Sequence, residues 1–324
     1  MEVVLLLITG LGLLLLGGAA LVRGASGIAE AYGISPLIIG LTVVAFGTSA
    51  PELVVNVIGA IRDQSEIAFG NVAGSNLANL GLVLGFAALI TPISIQGQII
   101  RRELPLLLLA TTVLVVMCLD VMLRSETATI DRADGLILLL LFGIFVYITI
   151  SDFLGQKEDP LLVTVEQITP DLIGNPVVNW LYVVAGCAGL MLGGQLTIDN
   201  GVALATRLEV SPAIVGMMVV AIGTSLPELV TSIIAAMRRE ADLCVGNVIG
   251  SNIFNALLVL PVSGLVRPLS IPSGGTIDLL MSLLLALALI PIFIVAGGTM
   301  GRFIGAGFIV AYFGYMTARA TGVI

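Results

Sequence analysis

Two glutamates, Glu52 and Glu228, stand inside long apolar stretches in matching settings, GTSAPE at 47–52 and GTSLPE at 223–228. An acid at the centre of a spanning helix costs roughly 2.5–3.5 kcal/mol on insertion scales, and such residues are functional by default. Hydroxyls precede each glutamate by four and three residues (Thr48 and Ser49, Thr224 and Ser225), so on a helix all three groups share a face. The prolines before them, Pro51 and Pro227, have no amide hydrogen and collide with the carbonyl four residues back. The carbonyls of Gly47 and Gly223 are therefore expected to leave the helix ladder and the turn around them to open. Freed carbonyls at membrane depth must face protein or a watery cavity, and they are good ligands for hard cations.

Each block continues into a second motif, GNVAGSNLAN at 70–79 and GNVIGSNIFN at 246–255. Ser75 lies four residues before Asn79 and Ser251 four before Asn255, again one face each. Asn79 and Asn255 read as ligands, while Asn71 and Asn247 are open between ligands and interhelical glue. The spacings Gly70–Gly74 and Gly246–Gly250 allow close helix approach. The combined donor set is carboxylate, amide, hydroxyl and carbonyl oxygen. The chain has no histidine, and its three cysteines (Cys118, Cys187, Cys244) show no ligand spacing and read as buried inert thiols. Zinc, copper and nickel are disfavoured; calcium and sodium are suited. Two ionised glutamates match one calcium ion or two sodium ions, and exclusion at one charged site is what exchange requires.

The elements that must hold these residues follow from composition and repetition. The chain is 58% hydrophobic and 10% charged over 324 residues, with a mean hydropathy of +1.15. A soluble domain would carry about 25% charged residues, so its solvent is lipid. The apolar blocks are continuous rather than alternating, which selects helices over a barrel. The first block follows Glu2 rather than a basic region and is expected to be a retained membrane helix. Net charge −8 excludes nucleic acid as a partner, and no obligatory protein partner or cofactor is implied. At a constant offset of 176, residues 40–85 and 216–261 are identical at 24 of 46 positions, so the chain is duplicated.

Apolar blocks predict ten transmembrane helices, at roughly 2–24, 34–62, 66–90, 103–122, 134–153, 177–198, 210–238, 242–266, 277–296 and 302–320. Five per half is odd, so the expected fold is all-α integral membrane with two inverted five-helix repeats, 1–153 and 177–324, joined by a polar loop at 154–176. Seven basic residues against six place the N-terminus outside and the loop in the cytoplasm of a plasma (inner) membrane.

At these motifs the chain resembles the calcium:cation antiporter superfamily, specifically the prokaryotic sodium/calcium exchangers, whose two α-repeats the blocks at 40–85 and 216–261 match. The resemblance implies four ion subsites between helices 2, 3, 7 and 8. Calcium would lie on Glu52 and Glu228 with backbone oxygens of Thr48 and Thr224. Sodium would use Ala45, Ser49 and Ser75, and by symmetry Ala221, Ser225 and Ser251, with Asn79 at the centre. Helices 1 and 6 would slide past a fixed core to alternate access, with more positive charge entering with sodium than leaving with calcium. Some relatives carry Asp where this chain has Asn255, which bears on stoichiometry and potassium. The long regulatory loop of animal exchangers has no counterpart.

The nearest rival is a calcium/proton antiporter using the same glutamates. That branch typically has Glu after the GN pair and a histidine in its repeats, both lacking here. An intramembrane enzyme would need a base beside Ser49 or Ser225, and only the glutamates could serve. A channel would need an open pore, against which the repeat argues.

Overall fold

Backbone amides in lipid have no solvent to bond, and the described residues satisfy them within helices almost throughout. The computed structural model describes residues 2–94, 99–120, 128–156, 175–208, 223–295 and 298–322. Its helices are α1 (Glu2–Tyr32), α2 (Pro36–Ile61), α3 (Ser65–Ile90), α4 (Leu104–Met117), α5 (Arg132–Gln156), α6 (Pro176–Arg207), α7 (Leu226–Met237), α8 (Ala241–Val266), α9 (Gly275–Val295) and α10 (Arg302–Ala320). Among the described residues eight are long and apolar enough to cross a membrane, all but α4 and α7. The expected start of the seventh helix and the end of the fourth lie partly outside the described residues, as does most of the 154–176 loop.

Two-residue strands clip the ends of the helices together. β1 (Ile93–Ser94) pairs antiparallel with β4 (Thr299–Met300), and β2 (Thr129–Ile130) with β3 (Leu269–Ser270). Each pair joins one half of the chain to the other.

The centre belongs to α3 and α8, whose apolar spans are 78% and 94% buried, against 22% for α1. The two cross through reciprocal amide bonds: Asn76 Nδ2 donates to Asn252 O at 3.4 Å, and Asn252 Nδ2 to Asn76 O at 3.2 Å. Both amide nitrogens thus find backbone acceptors across the crossing, while Asn76 Oδ1 has no donor.

Two expected helices prove longer. The first runs to Tyr32 rather than residue 24, and the sixth to Arg207 rather than 198. Arg23 looked like the end of an apolar run, but its guanidinium lies 4.9 Å over the Tyr182 ring of α6. Beyond it Ala25, Ile28 and Ala29 are buried, so packing carries the helix onward. The pair runs antiparallel in backbone contact: a Cβ on Gly17 would lie 2.7 Å from Leu190 N, and one on Gly186 2.5 Å from Leu21 N. At about 1.5 Å per residue both helices exceed a roughly 30 Å hydrocarbon core, so they tilt or protrude.

Candidate ion-binding site

Four segments bring the singled-out residues together. α2 carries Thr48, Ser49 and Glu52; α7 and the turn before it carry Thr224, Ser225 and Glu228. α3 supplies Ser75 and Asn79, and α8 supplies Ser251 and Asn255. Thr224 is half-buried and the rest are buried, Glu52 and Glu228 completely. Both asparagines open a π-helical turn, Asn79–Val83 and Asn255–Val259. Such turns are uncommon and frequently mark functional positions.

The contacts run between the two halves. Ser49 Oγ donates to Glu228 Oε1 at 3.1 Å. Thr48 Oγ1 donates to Asn247 Oδ1 at 3.1 Å and lies 3.3 Å from Ser251 Oγ. At the counterpart positions, Thr224 Oγ1 donates to Asn71 Oδ1 at 2.9 Å and lies 3.1 Å from Ser75 Oγ. The offset of 176 thus recurs in three dimensions. Asn79 Nδ2 donates to Asn252 Oδ1 at 3.0 Å.

Several buried acceptors find no donor in the protein: both oxygens of Glu52, Oε2 of Glu228, and Oδ1 of Asn79 and of Asn255. Native proteins pair such groups, because an unbonded buried polar atom costs roughly 1–3 kcal/mol and a charged one more. A cation coordinated by these oxygens would satisfy them together. Among the described residues no three His, Cys, Asp or Glu side chains gather as a metal cluster. The set is two carboxylates completed by neutral oxygens, which fits a hard cation held weakly enough to leave.

Some expectations need correction. The turn at Gly47 does not open: α2 is helical from Ala45 through Pro51, and the irregularity lies one turn earlier, as a π-helical segment at Gly40–Val44. A proline collision is relieved when the preceding turn widens, so the strain moves upstream. In the second half the chain does open, with Thr224 and Ser225 in a turn before α7. Glu228 sits in the first turn of α7, and residues 209–222, where this helix was expected to begin, lie outside the described residues. The carbonyl of Ala45 accepts from Thr48 Oγ1 at 3.3 Å, and Ala221 lies outside the described residues. At Gly246 and Gly250 a Cβ would lie 2.7 Å from Leu37 O and from Ala45 Cβ, respectively, so close approach is used at the second GxxxG; at Gly70 a Cβ would meet nothing within 4 Å.

Sequence reasoning passed over Asn56, Ser232, Asn76 and Asn252, all buried and hydrogen-bonded. Asn76 and Asn252 were legible as matched residues within the GSN triplets. Asn56 and Ser232 gave no such signal, because the halves differ there. Glu103 was also missed; it is buried at the start of α4, paired with Arg102, which also pairs with Asp152.

Comparison with known proteins points one way. The family model for sodium/calcium exchanger proteins matches residues 2–151 and 178–321. The putative antiporter CaxA of Alkalimonas amylolytica is 36% identical over 95% of both chains. The sodium/calcium exchanger MaX1 of Methanosarcina acetivorans is 30% identical over 96% of this chain and 97% of its own. A solved structure of the sodium-calcium exchanger NCX_Mj superposes with a TM-score of 0.82 at 30% identity, covering 98% of each chain. These proteins are transporters, which removes the reading of Ser49 or Ser225 as an enzymic nucleophile. The chain belongs to the sodium/calcium exchanger family.

Proposed function

We propose that the chain exchanges sodium for calcium across a cell's plasma membrane by alternating access. The observation that carries the reading is the pair of fully buried glutamates, three of whose four carboxyl oxygens have no donor in the protein. Unpaired charges in such a place cost several kcal/mol each, by order of magnitude, unless a proton or cation joins them. Calcium binds Glu52 and Glu228 together with the Thr48 and Thr224 carbonyls. Sodium takes Ser49, Ser75 and Ala45, with Ser225, Ser251 and Ala221 as their counterparts, and Asn79 and Asn255 complete the set. The oxygen-only donor set, with no histidine in the chain, favours sodium over protons as the counter-ion.

The chain crosses the membrane ten times, α4 and α7 included, as two inverted repeats. Support comes from the matched contacts at the 176 offset and from the antiparallel course of α1 and α6, counterparts in the duplicated sequence. The N-terminus faces outward and the 154–176 loop the cytoplasm.

The test is radioactive calcium uptake into proteoliposomes of the purified chain, with an outward sodium gradient or a proton gradient imposed separately. Uptake driven by sodium and indifferent to a proton ionophore is expected. Uptake driven by the proton gradient alone would keep the glutamates and assign the chain to calcium/proton exchange.

A further inference from the structure

Hydrogen-bond direction in the first repeat is fixed by one group that cannot donate. The carbonyl of Ala68 only accepts, and it takes the Asn56 Nδ2 hydrogen at 3.1 Å. That turns Asn56 Oδ1 toward Asn71, whose Nδ2 donates to it at 2.7 Å. Asn71 must then present Oδ1 to Thr224, which donates its hydroxyl hydrogen at 2.9 Å. A hydroxyl has one hydrogen. With it committed, Thr224 can only accept from Ser75, 3.1 Å away. The Ser75 hydrogen is thereby aimed at Thr224, and every other direction around its oxygen carries lone pairs alone.

We propose that Asn56 and Asn71 are positioning residues for ion binding: working from the Ala68 carbonyl, they lock the Thr224 and Ser75 hydroxyls so that Ser75 offers lone pairs, and no hydrogen, to a monovalent cation. A free hydroxyl would meet a cation with its hydrogen for part of the time and would have to reorient before binding. Preorganised dipoles avoid that cost. This deepens the sodium-coupled reading above and rests on it.

The second repeat carries the same chain of bonds with a different anchor. Asn247 Nδ2 donates to Ser232 Oγ at 2.9 Å, and Thr48 donates to Asn247 Oδ1. Ser232 stands at the counterpart of Asn56, and a serine hydroxyl both donates and accepts. Its direction is therefore not forced. Thr48 also has the Ala45 carbonyl as a second acceptor at 3.3 Å. One relay is anchored on a carbonyl that can only accept; its counterpart ends on Ser232, beside the Cys244 thiol, and both of those groups can donate as well as accept.

The experiment measures sodium half-saturation and calcium KM in proteoliposomes for the parent chain, Asn56→Leu, Asn56→Ser and Thr224→Val, and for each Asn56 variant combined with Thr224→Val. Asn56→Leu frees the relay and is expected to raise sodium half-saturation about tenfold, the scale of one hydrogen bond, with calcium KM unchanged. Asn56→Ser, which copies the second repeat's anchor, should raise it about threefold. Both effects should vanish in the Thr224→Val background, because Asn56 acts through that hydroxyl. If Asn56→Leu fails to fold, Asn56→Ser carries the same comparison. Sodium affinity unchanged in the folded Asn56 variants, equal losses for sodium and calcium, or effects that persist without the Thr224 hydroxyl would each overturn the assignment. A parent chain with no sodium dependence would instead sink the sodium reading, and this proposal with it.

Discussion

The two repeats share their motifs, yet they are not in the same condition. Around Glu228 the Ser49 hydroxyl is bonded; around Glu52 neither oxygen has a donor, and the Ser225 hydroxyl, counterpart of Ser49, is also without a partner. α2 runs unbroken through Pro51, whereas a turn at Thr224–Ser225 precedes α7. Near-identical residues thus hold two local arrangements at once. Under the exchange proposed above, the two arrangements are the pair of states that each half would have to interchange. Where the halves meet in backbone contact, along α1 and α6, they are alike: a Cβ on Gly17 or on its counterpart Gly193 would come within 2.7 and 2.6 Å of the opposite backbone.

That contrast can be broken in several ways. The largest effect is expected from Glu52→Gln and Glu228→Gln, each lowering calcium transport about a hundredfold or more while the protein still folds and inserts, since a buried ligand charge is worth more than the corresponding 2.7 kcal/mol. Normal uptake by either purified variant would mean that the glutamates do not form one shared site. Next, Ser49→Ala removes a bond to a carboxylate and should destabilise the ion-free protein by about 1.5–3 kcal/mol in a thermal melt. Ser225→Ala, lacking such a bond, should leave the melt nearly unchanged. Equal shifts would erase the difference between the halves.

Gly17→Ala and Gly193→Ala are expected to destabilise alike, by about 1–3 kcal/mol, because a methyl group meets backbone that cannot turn aside. Gly12→Ala, where a Cβ meets nothing within 4 Å, is the neutral control for that melt. The smallest effects belong to Ser75→Ala and Ser251→Ala. Each should raise sodium half-saturation by roughly threefold to tenfold with little change in calcium KM, the scale of one lost oxygen ligand. Matched losses for both ions would argue against separate subsites.

Much of this was legible in the chain itself. The limits of α2, α3, α8 and α10 fall within two residues of those expected, because polar turns such as Arg62–Gln64 and Arg238–Glu240 interrupt otherwise continuous apolar runs. The ends of α1 and α6 were not legible, since they depend on each other: Gly24 packs against the backbone of Asn179 and Val183, and no local residue pattern announces a partner more than 150 positions away. Asn71 could not be assigned from its own surroundings either. Its neighbours in the bond network, Asn56 and Thr224, come from two other segments, so its role exists only after folding.

The sequence by itself determined the solvent, the duplication and an oxygen-only set of candidate ligands on matched motifs, because composition and matched spacing are one-dimensional facts. Ala45 and Ala221 entered only through the family resemblance. Tertiary structure alone decided which glutamate is bonded, which relay is locked and where the chain opens. Those outcomes turn on hydrogen bonds between helices from opposite halves, and two nearly identical motifs cannot specify from within themselves which of them accepts and which donates.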